Sequence, residues 1–497
     1  MKALSKIYLL IPIFLIAFLL PGCSDFLDKP PQGKLTQEDF PVTQADALLA
    51  TNACYTTLRE WYYHSGGYPI LDIMSDDARK GSNPNDQLPT LGPYDSFTIT
   101  SSQDGLDRWW NQLYQGVKRC NVVIELVPGI QFDPELRDRY IAEAKYIRAQ
   151  IYFDFVRAWG GVPLVTSTTP VPNMPRASSD DVYSLIISDL EFAIEKLPLK
   201  SEYETENEGR ATKGAAQALL GKVYLFRHEF NKAEPLFMDV INSNEYGLEP
   251  VYINANGVDG NNGIESVFEI GAMELEGTEN GGDQYSNTQG VRGTPNRGWG
   301  FNRPTPDLRE SFEIGDPRIK GTIIDLGDTI DGILIRGDGS TPDVTKDDQG
   351  NIIEVECYSR KVWVPGDNTI TQWGHHRRLI RYADVLLMAA EVLNENGKPD
   401  QALLYLNMVR ARAREGNNNI LPDITTTDFT LLRKAILDER RHELAMEGFR
   451  FWDLVRTGEA ANVLGPLGFI PGKNELLPIP QNEIDISQGT LTQNPNW

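Results

Sequence analysis

The side chains that could do chemistry are few. Asp76 and Asp77 are adjacent carboxylates, the residue type that supplies acid and base in glycoside hydrolysis. Glycosidase carboxylates flank one bond from different elements, and sequence neighbours seldom converge that way. A turn or a ligand hydrogen-bond site is therefore the expected role. His442-Glu443-Leu444-Ala445-Met446 begins like a metalloprotease helix, which needs a second His four residues after the first to set two ligands on one face. Met446 holds that place. His375 and His376 are adjacent, so they point apart on a regular element and make a poor joint metal site. Asp325, Asp328, Asp331, Asp347 and Asp348 lack the spacing of an EF-hand loop, and neither G-x-S-x-G nor Walker A occurs. The expectation is a non-catalytic chain with no metal and no cofactor.

What remains suits capture. Sugars are held by aromatic faces, which bury the C–H side of the ring, and by planar polar side chains that bridge hydroxyls. Two loop groups offer both: Tyr62, Tyr63 and Tyr68 with Asp76, Asp77, Asn83 and Asn85, and Tyr285, Asn287, Arg292, Arg297 and Trp299 in a Gly-rich stretch. Arg292 and Arg297 would suit an acidic sugar or a carboxylate. Trp299 reads equally as platform or as core, whereas Trp109 and Trp110 lie on a helical pattern and are expected in the core.

Helical periodicity dominates the elements that must carry these loops. It predicts helices over Asp46–Tyr62, Leu106–Leu126, Leu136–Trp159 and Asp180–Leu197, the last capped at Ser178-Ser179-Asp180. Leu220-Gly221-x-x-Tyr224 followed by Ala233-x-x-x-Phe237 fits the second half of a tetratricopeptide repeat, with Gly221 letting the partner helix approach. Ala149 and Tyr152 share that spacing. Ala390 and Leu393, then Ala402 and Leu406, repeat it across the turn Asn396-Gly397-Lys398-Pro399. Residues 247–373 are rich in Gly, Asn, Asp and Pro, with β-prone runs at Ser266–Ile270 and Lys361–Val364. They read as a loop-rich subdomain with a few short strands, too long for a plain loop.

The net charge is -23, which argues against nucleic acid and against electrostatic docking on anionic lipid. The chain starts with Lys2 and Lys6, an apolar run over 7–20, and Leu20-Pro21-Gly22-Cys23. The run is too short to span a bilayer, which takes roughly 18 residues or more, and it reads as a secretory signal. The cysteine after the small residue resembles a bacterial lipoprotein signal, with Pro21 as a departure, and implies acylation of Cys23. The acidic residues that follow resemble the surface-export signal of Bacteroidetes lipoproteins. The other three cysteines, Cys54, Cys120 and Cys357, form no CxxC pair and read as buried small side chains.

Several segments together resemble the SusD/RagB family: Cys23-Ser24-Asp25-Phe26-Leu27-Asp28, Trp299-Gly300-Phe301-Asn302-Arg303-Pro304-Thr305, Gly315-Asp316-Pro317-Arg318, Arg381–Glu391 and Asp438–Arg456. The resemblance implies a mainly α fold of tetratricopeptide-like hairpins with a loop-rich, SusD-like subdomain. It also implies a lipid-anchored outer-membrane protein that pairs with a TonB-dependent SusC-like barrel and delivers captured glycan to it. Peptide is the alternative cargo, as in RagB-like members, and a lipid-anchored glycoside hydrolase using Asp76-Asp77 is the third reading. The expected organisation is a signal over 1–22, a lipidated tether over 23–36, a helical part over 37–246, a ligand-binding subdomain over 247–373 and a C-terminal helical part over 374–497. The hairpins are expected to dock the barrel as well as carry the loops. In the C-terminal segment, helical spacing places Arg440 with Glu443 (i, i+3) and Glu443 with Glu447 (i, i+4), predicting ion pairs from this helix to neighbouring loops.

Overall fold

The computed structural model describes residues 40–169, 171–273, 284–366 and 374–497. The predicted signal and tether, with Cys23, lie outside the described residues. No described helix is long and apolar enough to cross a membrane.

Ten helices carry the fold: α1 (Gln44–Arg59), α2 (Leu106–Leu126), α3 (Pro134–Trp159), α4 (Ser179–Lys196), α5 (Lys213–Phe226), α6 (Phe230–Asn242), α7 (Tyr382–Glu395), α8 (Pro399–Ala413), α9 (Phe429–Leu444) and α10 (Arg450–Thr457). Local chemistry sets many of their ends. Thr43 and Asp46 form a reciprocal capping box on α1, as Ser178 and Asp181 do on α4. Asp133 and Asp428 accept from the backbone N–H three residues on, at 2.8 and 2.9 Å. These contacts satisfy donors that the first turn of a helix leaves orphaned.

From α1 to α7 each helix packs on the next, and α7 packs on both α8 and α9. The repeat-like glycine explains one such contact: a Cβ on Gly221 would lie 2.6 Å from Phe237 Cε1. Gly221 therefore lets α5 and α6 close over a fully buried Ala233 and Phe237. α7 docks directly on α6 although residues 243–381 intervene, so the loop-rich stretch leaves the helical stack and returns to it. Its strands are short and antiparallel, in two-stranded sheets. Two sheets tie it back to the rest: Ala78–Gly81 pairs with Phe301–Pro304, and Ser266–Ile270 pairs through a bulged register with Arg377–Arg381.

Three local expectations are corrected. The first helix stops at Arg59, because Glu60 turns extended (ψ 136°) and Trp61–Tyr63 form a separate 3-10 turn. Lys361–Val364 is not a strand: Trp363 N–H closes a turn on the Arg360 carbonyl, and its indole packs with Val291, Ile324, Ile335 and Tyr358. Glu447 is not on the helix of Glu443, since α9 ends at Leu444 and Met446 adopts a left-handed φ of 64°.

The charges of the C-terminal segment are buried as a network. Arg381 donates to Glu265, Glu443 and Glu447 at 2.6, 2.6 and 2.9 Å. Arg318 donates to Glu439 at 2.6 Å and chelates Asp316. Arg440 turns away from Glu443, to Asp384 at 2.8 Å and Asp453 at 3.2 Å, and Arg456 pairs with Glu391. Charges buried this deeply are paired with one another, which offsets the cost of taking them out of water. The network joins α7, α8 and α9 to the loop-rich part, the role expected of these ion pairs, although the partners differ.

Candidate binding site

The break after Arg59 makes the site. Freed from the helix, Trp61 and Tyr62 stack on each other, with centroids 5.4 Å apart and planes 15° apart. Tyr68 meets Trp61 edge-on at 6.0 Å, and Trp299 arrives from the Gly-rich loop at 6.1 Å and 69°. Gly67, at φ 110°, accepts from the Trp61 indole N–H, and a Cβ there would strike the ring. Trp299 is held by its own backbone, whose N–H donates to the Asn287 carbonyl at 2.9 Å. Gly298 is required beside it, since a Cβ would sit 2.4 Å from that same carbonyl.

A cleft of 230 Å³ opens beside these rings, lined by Trp61, Tyr62, Tyr68, Gln87, Asp104 and Arg108 among others. The Arg108 guanidinium lies 5.2 Å from the Tyr62 ring, donates to its hydroxyl at 3.2 Å and faces Asp104 at 3.3 Å. About 46% of the Arg108 and Asp104 side chains stays exposed. Half-buried aromatic faces beside an open, oppositely charged polar pair form a surface with apolar area and hydrogen-bonding rim together.

The predicted residues divide. Tyr62, Tyr68 and Trp299 come together on this surface, and the Trp299 indole packs edge-on against the Trp61 ring. Trp61 was missed, because the helical pattern running through it gave no sign of the break at Glu60. Asn83 and Asn85 lie on the neighbouring loop, where Asn85 is exposed and Asn83 donates to the Ser340 carbonyl at 3.2 Å. Tyr63 is buried, with its hydroxyl on Asp154 at 3.0 Å. Tyr285 is buried beneath the Arg377 guanidinium, 4.4 Å from its ring. Asn287 is buried too, and its Nδ2 has no partner among the described residues.

Four of the predicted residues are engaged by ion pairs and hydrogen bonds within the protein. Arg450 grips both oxygens of Asp76 at 2.8 Å, and Arg441 holds Asp77 at 2.8 Å and Asp76 at 2.9 Å. The two aspartates are buried and anchor the C-terminal segment. Burial pushes the Asp77 carboxyl up against the pull of Arg441, while Arg450 and Arg441 hold that of Asp76 down in spite of burial. Arg292 spends its charge on Asp338 at 2.6 Å and on Asp86 and Ser82, fastening one loop to the next. Arg297 is buried on the carbonyls of Val364 and Gly366 and lies over the Trp363 ring at 4.2 Å. The Arg292 side chain keeps 28% of its surface exposed, whereas Arg297 is buried.

The described residues hold one cluster of metal-ligand types, Glu313, Glu439 and His442. All four carboxylate oxygens accept from Arg410 or Arg318 at 2.6–3.2 Å. A cation there would have to displace two guanidiniums, so the donor set does not fit a metal. Trp109 and Trp110 are buried, as expected, against Trp159.

Residues 25–225 match a family model described as "Starch-binding associating with outer membrane", and residues 264–467 match one described as "SusD family". The two models between them span most of the chain and describe an outer-membrane-associated, SusD-type protein. The chain belongs to the SusD/RagB family. It is 28% identical to SusD-like protein P38 of Formosa agariphila over 94% of each chain. It is 27% identical to a SusD-like protein of Bacteroides ovatus over 92% of this chain and 83% of the relative. A solved laminarin-binding SusD-like protein superposes with a TM-score of 0.77 at 29% identity, covering 92% of this chain and 100% of that one. Surface glycan-binding protein A of Bacteroides thetaiotaomicron, in complex with laminarihexaose, superposes with a TM-score of 0.76 at 26% identity over 91% and 100%.

Proposed function

We propose that the protein captures an oligosaccharide at the cell surface, does not cleave it, and passes it to a TonB-dependent SusC-like barrel while anchored to the outer membrane through a lipid on Cys23. The observation that carries this reading is the Trp61–Tyr62–Tyr68–Trp299 surface over its cleft, in a chain similar to laminarin-binding proteins. The rings offer faces and edges to the C–H side of a pyranose, and Arg108, Asp104 and Gln87 offer donors and acceptors to its hydroxyls. A glucan of the laminarin type is the first ligand to try. The non-catalytic reading is supported by the state of Asp76 and Asp77, both buried, with both oxygens of Asp76 and one of Asp77 held by arginines.

The test is calorimetry of a soluble form starting at Ser24 against laminarin oligosaccharides, other glycans and mixed peptides, with product release assayed in parallel. Saturable glycan binding without turnover supports the reading. Binding of peptides alone would replace the cargo, and turnover would end the non-catalytic assignment. For the anchor, a Cys23→Ala chain that stayed membrane-bound and surface-exposed would count against lipidation.

A further inference from the structure

Cys54 and Cys120 are far apart in sequence, and no motif joins them. The fold does. Thr57 of α1 sits against Gly116 of α2, where a Cβ would lie 2.6 Å from Thr57 Cγ2. Arg119 donates to Thr57 Oγ1 across the same contact at 2.9 Å. One turn back along α1 and one turn on along α2, Cys54 and Cys120 fall on the same side of this crossing as free, buried thiols, Cys54 donating to the Ala50 carbonyl at 3.5 Å with Cys120 among the neighbours that raise its thiol. Thr57 with Gly116 and Cys54 with Cys120 run in opposite directions, so the helices are antiparallel here. A glycine at the crossing lets the backbones approach, and close approach is what a disulfide requires, with Cα atoms roughly 4.4–6.8 Å apart. Both side chains are fully buried.

We propose that Cys54 and Cys120 form a disulfide that staples α1 to α2 in the exported protein. Outer-membrane association implies passage through a compartment in which disulfides persist. In the exchange one thiolate attacks the disulfide of an oxidant, either a thiol–disulfide oxidoreductase or a small disulfide such as oxidised glutathione, and forms a mixed disulfide. The second protein thiolate displaces the oxidant's remaining sulfur. The protein gives up two protons and two electrons, and the oxidant leaves as two thiols. Burial raises the Cys54 thiol well above its ordinary range, so the exchange belongs to folding, before the helices close.

The bridge has a consequence for binding. Every residue that lines the 230 Å³ cleft falls between 61 and 108, inside the loop that a 54–120 bond would close. The staple would restrain the segment that carries Trp61, Tyr62 and Tyr68, whatever ligand it holds. Cys357 is the internal control. It is buried alone against the Pro304 carbonyl, with its thiol pushed up to about 12 by burial.

The test is differential alkylation of the full chain after refolding from urea in a mixture of oxidised and reduced glutathione. The unfolded, unreduced chain takes a first label, is reduced, and takes a second, with each cysteine assigned by peptide mass. The expected result is the second label on Cys54 and Cys120, the first on Cys357, and a linked peptide 2 Da lighter than its two thiol halves together. The first label on both Cys54 and Cys120 overturns the proposal. In a Cys54→Ser chain, Cys120 is expected to take the first label. If it still takes the second, its partner is not Cys54 and the assignment fails. On the chain as isolated from membranes, never refolded, the same labelling gives the same two outcomes without depending on recovery of the fold.

Discussion

The indole of Trp299 meets that of Trp61 edge-on at 6.1 Å, although the two belong to segments on opposite sides of the helical stack in sequence. Neither ring makes the surface alone. Trp61 supplies the face that stacks Tyr62, and Trp299 closes its flank. Trp61→Ala and Trp299→Ala should each weaken glycan binding about tenfold, or ~1.4 kcal/mol, with the Trp61 variant the worse of the two. Because the rings touch, the double variant should lose less than the sum of the two single losses. Calorimetry on the four proteins closes the cycle. Full additivity would mean that the ligand reads the two indoles independently.

Asp76 and Asp77 should behave as structural anchors. Their carboxylates meet Arg441 and Arg450 at 2.8–2.9 Å in a buried setting. Asp77→Asn removes one charge and leaves Arg441 facing less compensation, a loss on the order of 3 kcal/mol for a broken buried pair. The urea midpoint should fall clearly, and glycan affinity measured below the transition should stay within twofold of the parent. A selective loss of affinity at unchanged stability would return Asp77 to the ligand site.

Much of the scaffold was legible because its signals are local. The Leu106–Leu126 helix keeps one apolar face throughout, Ser178 caps α4 three residues from Asp181, and Gly221 and Phe237 keep a repeat spacing that already implies contact. The proposed binding surface was half legible. Tyr62, Tyr68 and Trp299 belong to residue types that hold sugars, but Trp61 lies in a continuous helical pattern, and the extended Glu60 that breaks it is neither Gly nor Pro. The roles of Asp76, Asp77, Arg292 and Arg297 were hidden for a different reason. Each is decided by partners in remote segments, such as Arg441 and Arg450 for the aspartates, and no period in the chain connects them.

The Gly221 contact gives a direct test of the hairpin packing. Gly221→Ala places a methyl group 2.6 Å from the Phe237 ring, inside contact distance on a fully buried side chain. Overpacking of this kind costs about 1–3 kcal/mol, more than the helix propensity gained from Ala. Thermal unfolding should report a lower Tm, and Gly221→Ala with Phe237→Leu should recover part of it. A gain in stability from the single change would show that α5 and α6 can separate freely.

Arg381 should be indispensable to folding. It reaches Glu265, Glu443 and Glu447, all buried, through four side-chain hydrogen bonds of 2.6–2.9 Å. Burial would raise Glu443 and Glu447, but Arg381 and its neighbours Arg412 and Lys361 hold both below the ordinary carboxylate range. Arg381→Met keeps the length and removes the charge, leaving carboxylates that must protonate or unfold the site. The loss should reach about 3–5 kcal/mol, and soluble yield at 37 °C should collapse. Arg381→Lys should rescue only partly, since one ammonium cannot reproduce a planar fork shared among three partners.

Stability should pass through a maximum on the acid side of neutrality, because two pairs of carboxyls titrate in opposite senses. Burial raises Asp72 and Asp95 to about 6. Their folded values lie above the unfolded value of 3.8, so the folded chain binds protons first, and stability rises as pH falls from above 6 towards 4. Glu269 is held at about 2 against its burial by His376 and Arg378, and Asp453 at about 2 by Arg440 and Arg456. Their stabilisation is complete above the unfolded carboxylate values and is lost as pH falls through them towards 2. Urea midpoints measured from pH 8 to 3 should therefore climb gently below 7 and then drop steeply below about 4. Asp72→Asn keeps an acceptor for the Gly448 N–H, which now donates to Asp72 at 2.8 Å. It removes the titration, so its curve between pH 7 and 5 should be flatter than the parent's by on the order of 1–3 kcal/mol. An unchanged slope would mean that Asp72 does not take up its proton in that interval.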